Sequence, residues 1–77
     1  SPAESNLLSA LLQHVGQPVS RYALAAQLGL AGHERTVDVQ VARLRQKIEP
    51  DAKRPRYVQT VRGAGYVLRP DGVEDGS

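Results

Sequence analysis

Apolar residues return every three or four positions over the first 48 residues, then give way to short valine-rich runs around a glycine pair. The first pattern predicts helices and the second predicts strands. Leu7, Leu8, Leu11, Leu12 and Val15 form one helical stripe, expected to be buried. The opening S-P-A-E is a helix start: Ser1 caps, Pro2 suits the first turn, and Glu4 reaches back to close a capping box. Gly16 ends this helix near His14, and Pro18 follows as a stop. Ser20 is the next cap, before a short helix over Arg21–Leu28 with Leu24 and Leu28 at i, i+4; Gly29 closes it. Residues Gly29–Glu34 read as a loop.

The third helix begins at Glu34 or Arg35 and ends at Ile48 or Glu49, before Pro50. Val37, Val41, Leu44 and Ile48 fall on one narrow stripe at about 100° per residue, the expected core face. Arg35, Val39, Ala42, Arg43 and Gln46 lie opposite. Asp38 and Arg45 share one flank; Thr36, Gln40 and Lys47 share the other. Pro50–Arg56 is a charged connector. Tyr57–Val61 and Tyr66–Arg69 then predict two strands joined by the turn R-G-A-G, a hairpin. The domain is expected to span residues 1–69, with an acidic, disordered tail over 70–77.

Composition narrows the function. The 77 residues suffice for one domain, and without cysteine, phenylalanine, tryptophan or methionine the core must be aliphatic. His14 and His33 are isolated, so no metal site is expected, and no cofactor is implied. No apolar run suits a membrane span and no leader is visible, which places the protein in the cytoplasm. There is no phosphate-binding loop, no nucleophile elbow and no paired catalytic carboxylates, so no reaction can be assembled and an enzyme is not expected.

Net charge is +2, but nine of the ten Lys and Arg residues lie within 35–69, against three acidic residues there. A polyanion fits this basic half, although charge alone fits a solvated surface equally well. The outer face of the third helix adds chemistry. A major groove admits one helix and is read by arginine, glutamine and small apolar groups. Arg43 suits a guanine edge, Val39 and Ala42 suit thymine methyls, Gln40 suits adenine or a phosphate, and Arg35 and Arg45 suit phosphates. From spacing alone an ordinary amphipathic helix fits as well. The hairpin sharpens the choice, because Arg62 beside glycines can enter a narrow minor groove. Thr60 lies near the same turn. Tyr66 suits hairpin packing, and its hydroxyl can reach a phosphate. A protein-interaction module is the rival reading. RNA binding lacks the stacking aromatics it normally uses.

Three helices followed by a hairpin make an α+β, mostly α, winged helix-turn-helix. R-T-V-D-V-Q-V-A-R-L-R-Q-K-I-E-P-D at Arg35–Asp51, then R-Y-V-Q-T-V-R-G-A-G-Y-V-L at Arg56–Leu68, resemble the OmpR/PhoB family of response regulators. The resemblance extends to S-P-A-E near Ser1 and V-S-R at Val19–Arg21, and so covers residues 1–69. It implies the effector domain of a bacterial two-component transcription regulator, with a recognition helix over about 35–48 in the major groove and a wing over about 57–69 at the minor groove of double-stranded DNA. By position, Val39, Arg43 and Arg62 would face bases. Arg35, Thr36, Gln40, Arg45, Thr60 and Tyr66 would serve the phosphate backbone.

The resemblance also implies partners. The intact regulator would form a homodimer on direct-repeat half-sites, and a sensor kinase would act through a phosphate-accepting receiver domain absent from these residues. RNA polymerase is a further implied partner, through the loop before the recognition helix. Three departures stand out. Ala42 replaces a basic residue of several relatives. The loop Gly29–Glu34 is shorter than in most relatives, which puts activation through polymerase in doubt. The family's N-terminal four-stranded sheet is absent, so the domain is expected to be truncated, less stable than a full one and prone to self-association.

Overall fold

The computed structural model describes residues 1–72, with the elements α1 (Pro2–Leu12), α2 (Arg21–Gln27), α3 (Glu34–Ile48), β1 (Val58–Val61) and β2 (Gly65–Leu68). Each boundary has a local cause. Glu4 accepts a hydrogen bond from the Ser1 amine at 3.0 Å, the return half of the expected capping box. Ser20 Oγ accepts from the Ala23 N–H at 3.0 Å and starts α2. Gly16 and Gly29 follow α1 and α2 with φ of 78° and 73°, the left-handed conformation that lets the chain leave a helix.

The core lies where the three helices meet the hairpin. Leu7, Ala10 and Leu11 of α1, Leu24 and Ala25 of α2, and Val37, Val41 and Leu44 of α3 pack with Val19, Val58, Tyr66 and Leu68. Fully burying each large aliphatic side chain contributes roughly 1.5–3 kcal/mol.

Two parts of the expected core are corrected. Leu12 and Val15 are 51% and 49% exposed. Helix α1 stops at Leu12, so Val15 sits in the following turn, outside the helical stripe. At 100° per residue Leu12 points about 100° away from Leu11, beyond the edge of the buried face. Ile48 has the right angle but is 36% exposed, because it is the last residue of α3 and lies outside the buried cluster.

The hairpin pairs β1 with β2 antiparallel, in the register Val58↔Leu68, Gln59↔Val67, Thr60↔Tyr66 and Val61↔Gly65. β1 thus starts one residue later than expected, at Val58, and β2 is shifted by one residue toward the turn, running from Gly65 to Leu68. The turn is Arg62–Gly63–Ala64, with Gly63 at φ 78°. A bridge not expected from sequence joins Val19 to Tyr66, with hydrogen bonds of 2.7 and 3.0 Å. It extends the sheet toward the start of α2 and requires Gly65. A Cβ at Gly65 would lie 2.0 Å from the Val19 carbonyl oxygen.

The connector is held by one buried acid. The Glu49 carboxylate accepts from the N–H groups of Arg56, Tyr57 and Val58, the shortest contacts being 2.8 Å. The end of α3 is therefore tied to the beginning of β1. Of the expected acidic tail, residues 70–72 form a turn in which the Gly72 N–H donates to the Arg69 carbonyl at 2.9 Å; residues 73–77 lie outside the described ones.

Candidate nucleic-acid interface

The outer face of α3 carries Arg35, Thr36, Val39, Ala42, Arg43 and Gln46, all exposed. Burial of Val37, Val41 and Leu44 rotates this set outward. Val39 and Ala42 are small, so Arg43 stands beside a low apolar surface. Gln40 is half-buried at the edge of the face. On the same flank Lys47 forms an ion pair with Glu4 of α1 at 2.6 Å. That ammonium, with the Ser1 amine, holds the Glu4 carboxyl down at about 2.

The opposite flank of α3 faces the hairpin, and here Asp38 and Arg45 join α3 to α2, β1 and β2. Asp38 receives a bidentate hydrogen bond from Arg21 of α2, Nε to Oδ1 at 2.9 Å and Nη2 to Oδ2 at 2.7 Å. The Tyr66 hydroxyl of β2 donates to Asp38 Oδ1 at 2.7 Å. Arg45 donates from Nε to the Val58 carbonyl and from Nη2 to Thr60 Oγ1, both at 2.9 Å, and its guanidinium lies 5.6 Å from the Tyr66 ring centre. Burial pushes the Tyr66 hydroxyl up to about 12, and its bond to Asp38 pushes the same way.

This arrangement sorts the residues singled out from sequence. Arg35, Thr36, Val39 and Arg43 share the open face of α3, with Gln40 at its edge. Arg62 is exposed at the hairpin turn. Arg45, Thr60 and Tyr66 are bonded into the joint between α3 and the hairpin, with Thr60 also exposed at its surface. Asp38 and Arg21, the centre of that joint, were not singled out. The one sequence signal for it was the shared flank of Asp38 and Arg45.

The family described as "Transcriptional regulatory protein, C terminal" matches residues 1–68. The chain belongs to this family. As an effector domain it is 46% identical over 76 residues to Protein PetR of Rhodobacter capsulatus, covering 88% of the chain and 32% of the relative. It is 41% identical over 71 residues to the alkaline phosphatase synthesis transcriptional regulatory protein PhoP of Bacillus subtilis, covering 88% of the chain and 30% of the relative. The domain thus spans about a third of the length of these curated relatives.

Among solved structures it is similar to the Klebsiella pneumoniae RstA DNA-binding domain in complex with the RstA box, with TM-score 0.82, 38% identity, and coverage of 91% of this chain and 72% of that one. It is also similar to the C-terminal domain of the nisin resistance regulator NsrR, with TM-score 0.72, 40% identity, and coverage of 90% and 72%. The effector domain therefore has the winged-helix fold of response-regulator domains of the OmpR/PhoB type. No helix among the described residues is long and apolar enough to cross a membrane.

Proposed function

We propose that this effector domain binds double-stranded DNA sequence-specifically, with α3 in the major groove and the hairpin as a wing at the minor groove. The observation that carries the reading is the single open face of α3, where Arg43 stands beside Val39 and Ala42, while the joint at Asp38 ties to α3 the hairpin whose turn carries Arg62. The similarity to a domain solved on its DNA box supports it.

Arg43 reads a guanine edge, Val39 packs on a thymine methyl, and Arg62 enters the minor groove. Arg35, Thr36 and Gln40 meet phosphates. Arg45, Thr60 and Tyr66 border the same backbone while they hold the wing. The domain, residues 1–69, is the cytoplasmic output end of a two-component transcription regulator. In the intact protein a receiver domain, phosphorylated by a sensor kinase, brings two copies together on direct-repeat half-sites, where RNA polymerase is a further partner.

The test is selection of duplexes from a random pool at near-physiological salt. The expected result is one enriched short motif, which Arg43→Ala relaxes at one or two positions. Loss of a bidentate base contact costs about 1–3 kcal/mol. Binding that falls with salt but enriches no motif would overturn the sequence-specific part of the reading, because phosphate contacts alone give that behaviour.

A further inference from the structure

Beside the wing lies a concavity of about 420 Å³, open on one side, between the start of α2 and the hairpin turn. Ser20 and Tyr22 form one wall; Thr60, Arg62 and Ala64 form the other. Among the described residues no acidic one lines it. Arg21 also reaches this region, but its guanidinium is bound to Asp38. Tyr22 is 73% exposed, the most exposed of the large hydrophobic side chains among the described residues. Its backbone is nevertheless fixed: Ser20 caps the helix on one side of Arg21, and Asp38 clamps Arg21 itself. An aromatic ring with a hydroxyl is thus presented to solvent from a rigid mount.

We propose that this groove seats the sugar–phosphate backbone bordering the minor groove, with Tyr22 as a further DNA-contacting residue. The proposal rests on the reading of the hairpin as a minor-groove wing. The minor groove is only about 6 Å wide and is bounded by a backbone on each side. A side chain at the wing tip therefore has a sugar–phosphate strand immediately beside it. The concavity next to Arg62 is the space in which such a strand runs. Its walls suit that occupant. The Tyr22 and Thr60 hydroxyls can donate to phosphate oxygens, the Arg62 guanidinium supplies positive charge, and the Tyr22 ring can lie against deoxyribose.

Because the chain has no cysteine, a single one can carry an iron chelate that cleaves nearby DNA backbone. Tyr22→Cys and Ala64→Cys conjugates would be compared on the duplex selected by the wild-type domain. Cleavage from both positions, on the same minor-groove edge, is the expected result. Cleavage from Ala64→Cys without cleavage from Tyr22→Cys would overturn the groove proposal and leave the wing reading intact. That outcome would turn the Tyr22 surface toward a protein partner instead. Bound duplex cleaved from neither position would overturn the wing reading and the proposal with it.

In parallel, Tyr22→Phe should weaken binding about ten- to a hundredfold, the worth of one hydrogen bond to a charged oxygen. The loss should be equal on the selected and on scrambled duplexes, with the salt slope unchanged because no charge is removed. Arg62→Ala, by contrast, should lower that slope by about one. Unchanged affinity for both Tyr22→Phe and Tyr22→Ala would overturn the proposal.

Discussion

Replacing Gly65 by alanine should damage this domain far more than the same change two residues earlier. At Gly65 the new Cβ would lie 2.0 Å from the Val19 oxygen, 2.7 Å from its carbonyl carbon and 2.8 Å from Ser20 Cα. All three are backbone atoms, so no side chain can swing aside; the strand or the Val19 segment must move by an ångström or more. That movement breaks the bridge, whose two hydrogen bonds contribute about 0.5–1.5 kcal/mol each. The φ of 141° adds backbone strain of about 1–3 kcal/mol for a residue with a Cβ. Together these give about 2–6 kcal/mol, against a total stability of roughly 0.05–0.15 kcal/mol per residue. Gly63 has φ 78° and nothing within 4 Å of its would-be Cβ. Alanine there incurs only the left-handed penalty of about 1–2 kcal/mol. Urea unfolding of both variants, with the slope checked against wild type, measures the difference. For a domain of this size, 3 kcal/mol would lower the thermal midpoint by roughly 12–24 °C. Equal and mild destabilisation of the two variants would refute the argument, since only the close approach at Val19 separates them.

Absorbance of the Tyr66 phenolate should appear near pH 12 rather than 10. Its folded value lies above its unfolded one, so the stability it contributes is complete below pH 10 and is lost as pH rises from 10 to 12. Tyr66→Phe, which removes the hydroxyl bond to the Asp38 carboxylate, should cost about 1.5–3 kcal/mol in urea unfolding at neutral pH. Glu4 gives the opposite sign. Its folded value of about 2 lies below the ordinary 4.5, so its contribution is complete above pH 4.5 and fades as pH falls toward 2. Thermal midpoints of wild type and Glu4→Gln should therefore differ at pH 7 and converge near pH 2. Glu49→Ala strips the acceptor from three backbone N–H groups and should cost about 2–4 kcal/mol. Hydrogen exchange at the Val58 amide, bonded to Glu49 at 2.8 Å, should accelerate well before global unfolding.

What the sequence made legible was mostly local chemistry. Ser20 bonds to an N–H three residues on, and glycine leaves a helix because it tolerates positive φ; neither fact needs the rest of the chain. The helix order and the hairpin were therefore readable, as was the outward placement of Arg35, Val39 and Arg43. What depended on distant parts of the chain was not. Ile48 has the same helical phase as Val37, and only the end of the core separates them. Gly65 read as a turn glycine, yet the conformation of the chain 46 residues earlier decides why it must be one. Asp38 read as a polar flank residue; its value lies in Arg21 and Tyr66, brought in from two other elements.

The joint at Asp38 also changes what the basic composition means. Residues 35–69 carry nine cations, but Arg45 is bonded to the Val58 carbonyl and Thr60 and lies against the Tyr66 ring, while Lys47 is paired with Glu4. A cation already held by an internal partner must give up that partner, or share it, before it neutralises a phosphate. Arg35, Arg43 and Arg62 stand on the exposed surface of α3 and the wing. Arginine count therefore overstates the electrostatic grip on a duplex. Arg45 acts instead on geometry: together with the Asp38 carboxylate it ties the wing to α3. A rigid offset allows one side chain in the major groove and one in the minor groove to be satisfied together only where the DNA between them has the matching width and twist. In the proposed docking, specificity would then arise partly from groove shape, at base pairs that neither side chain touches.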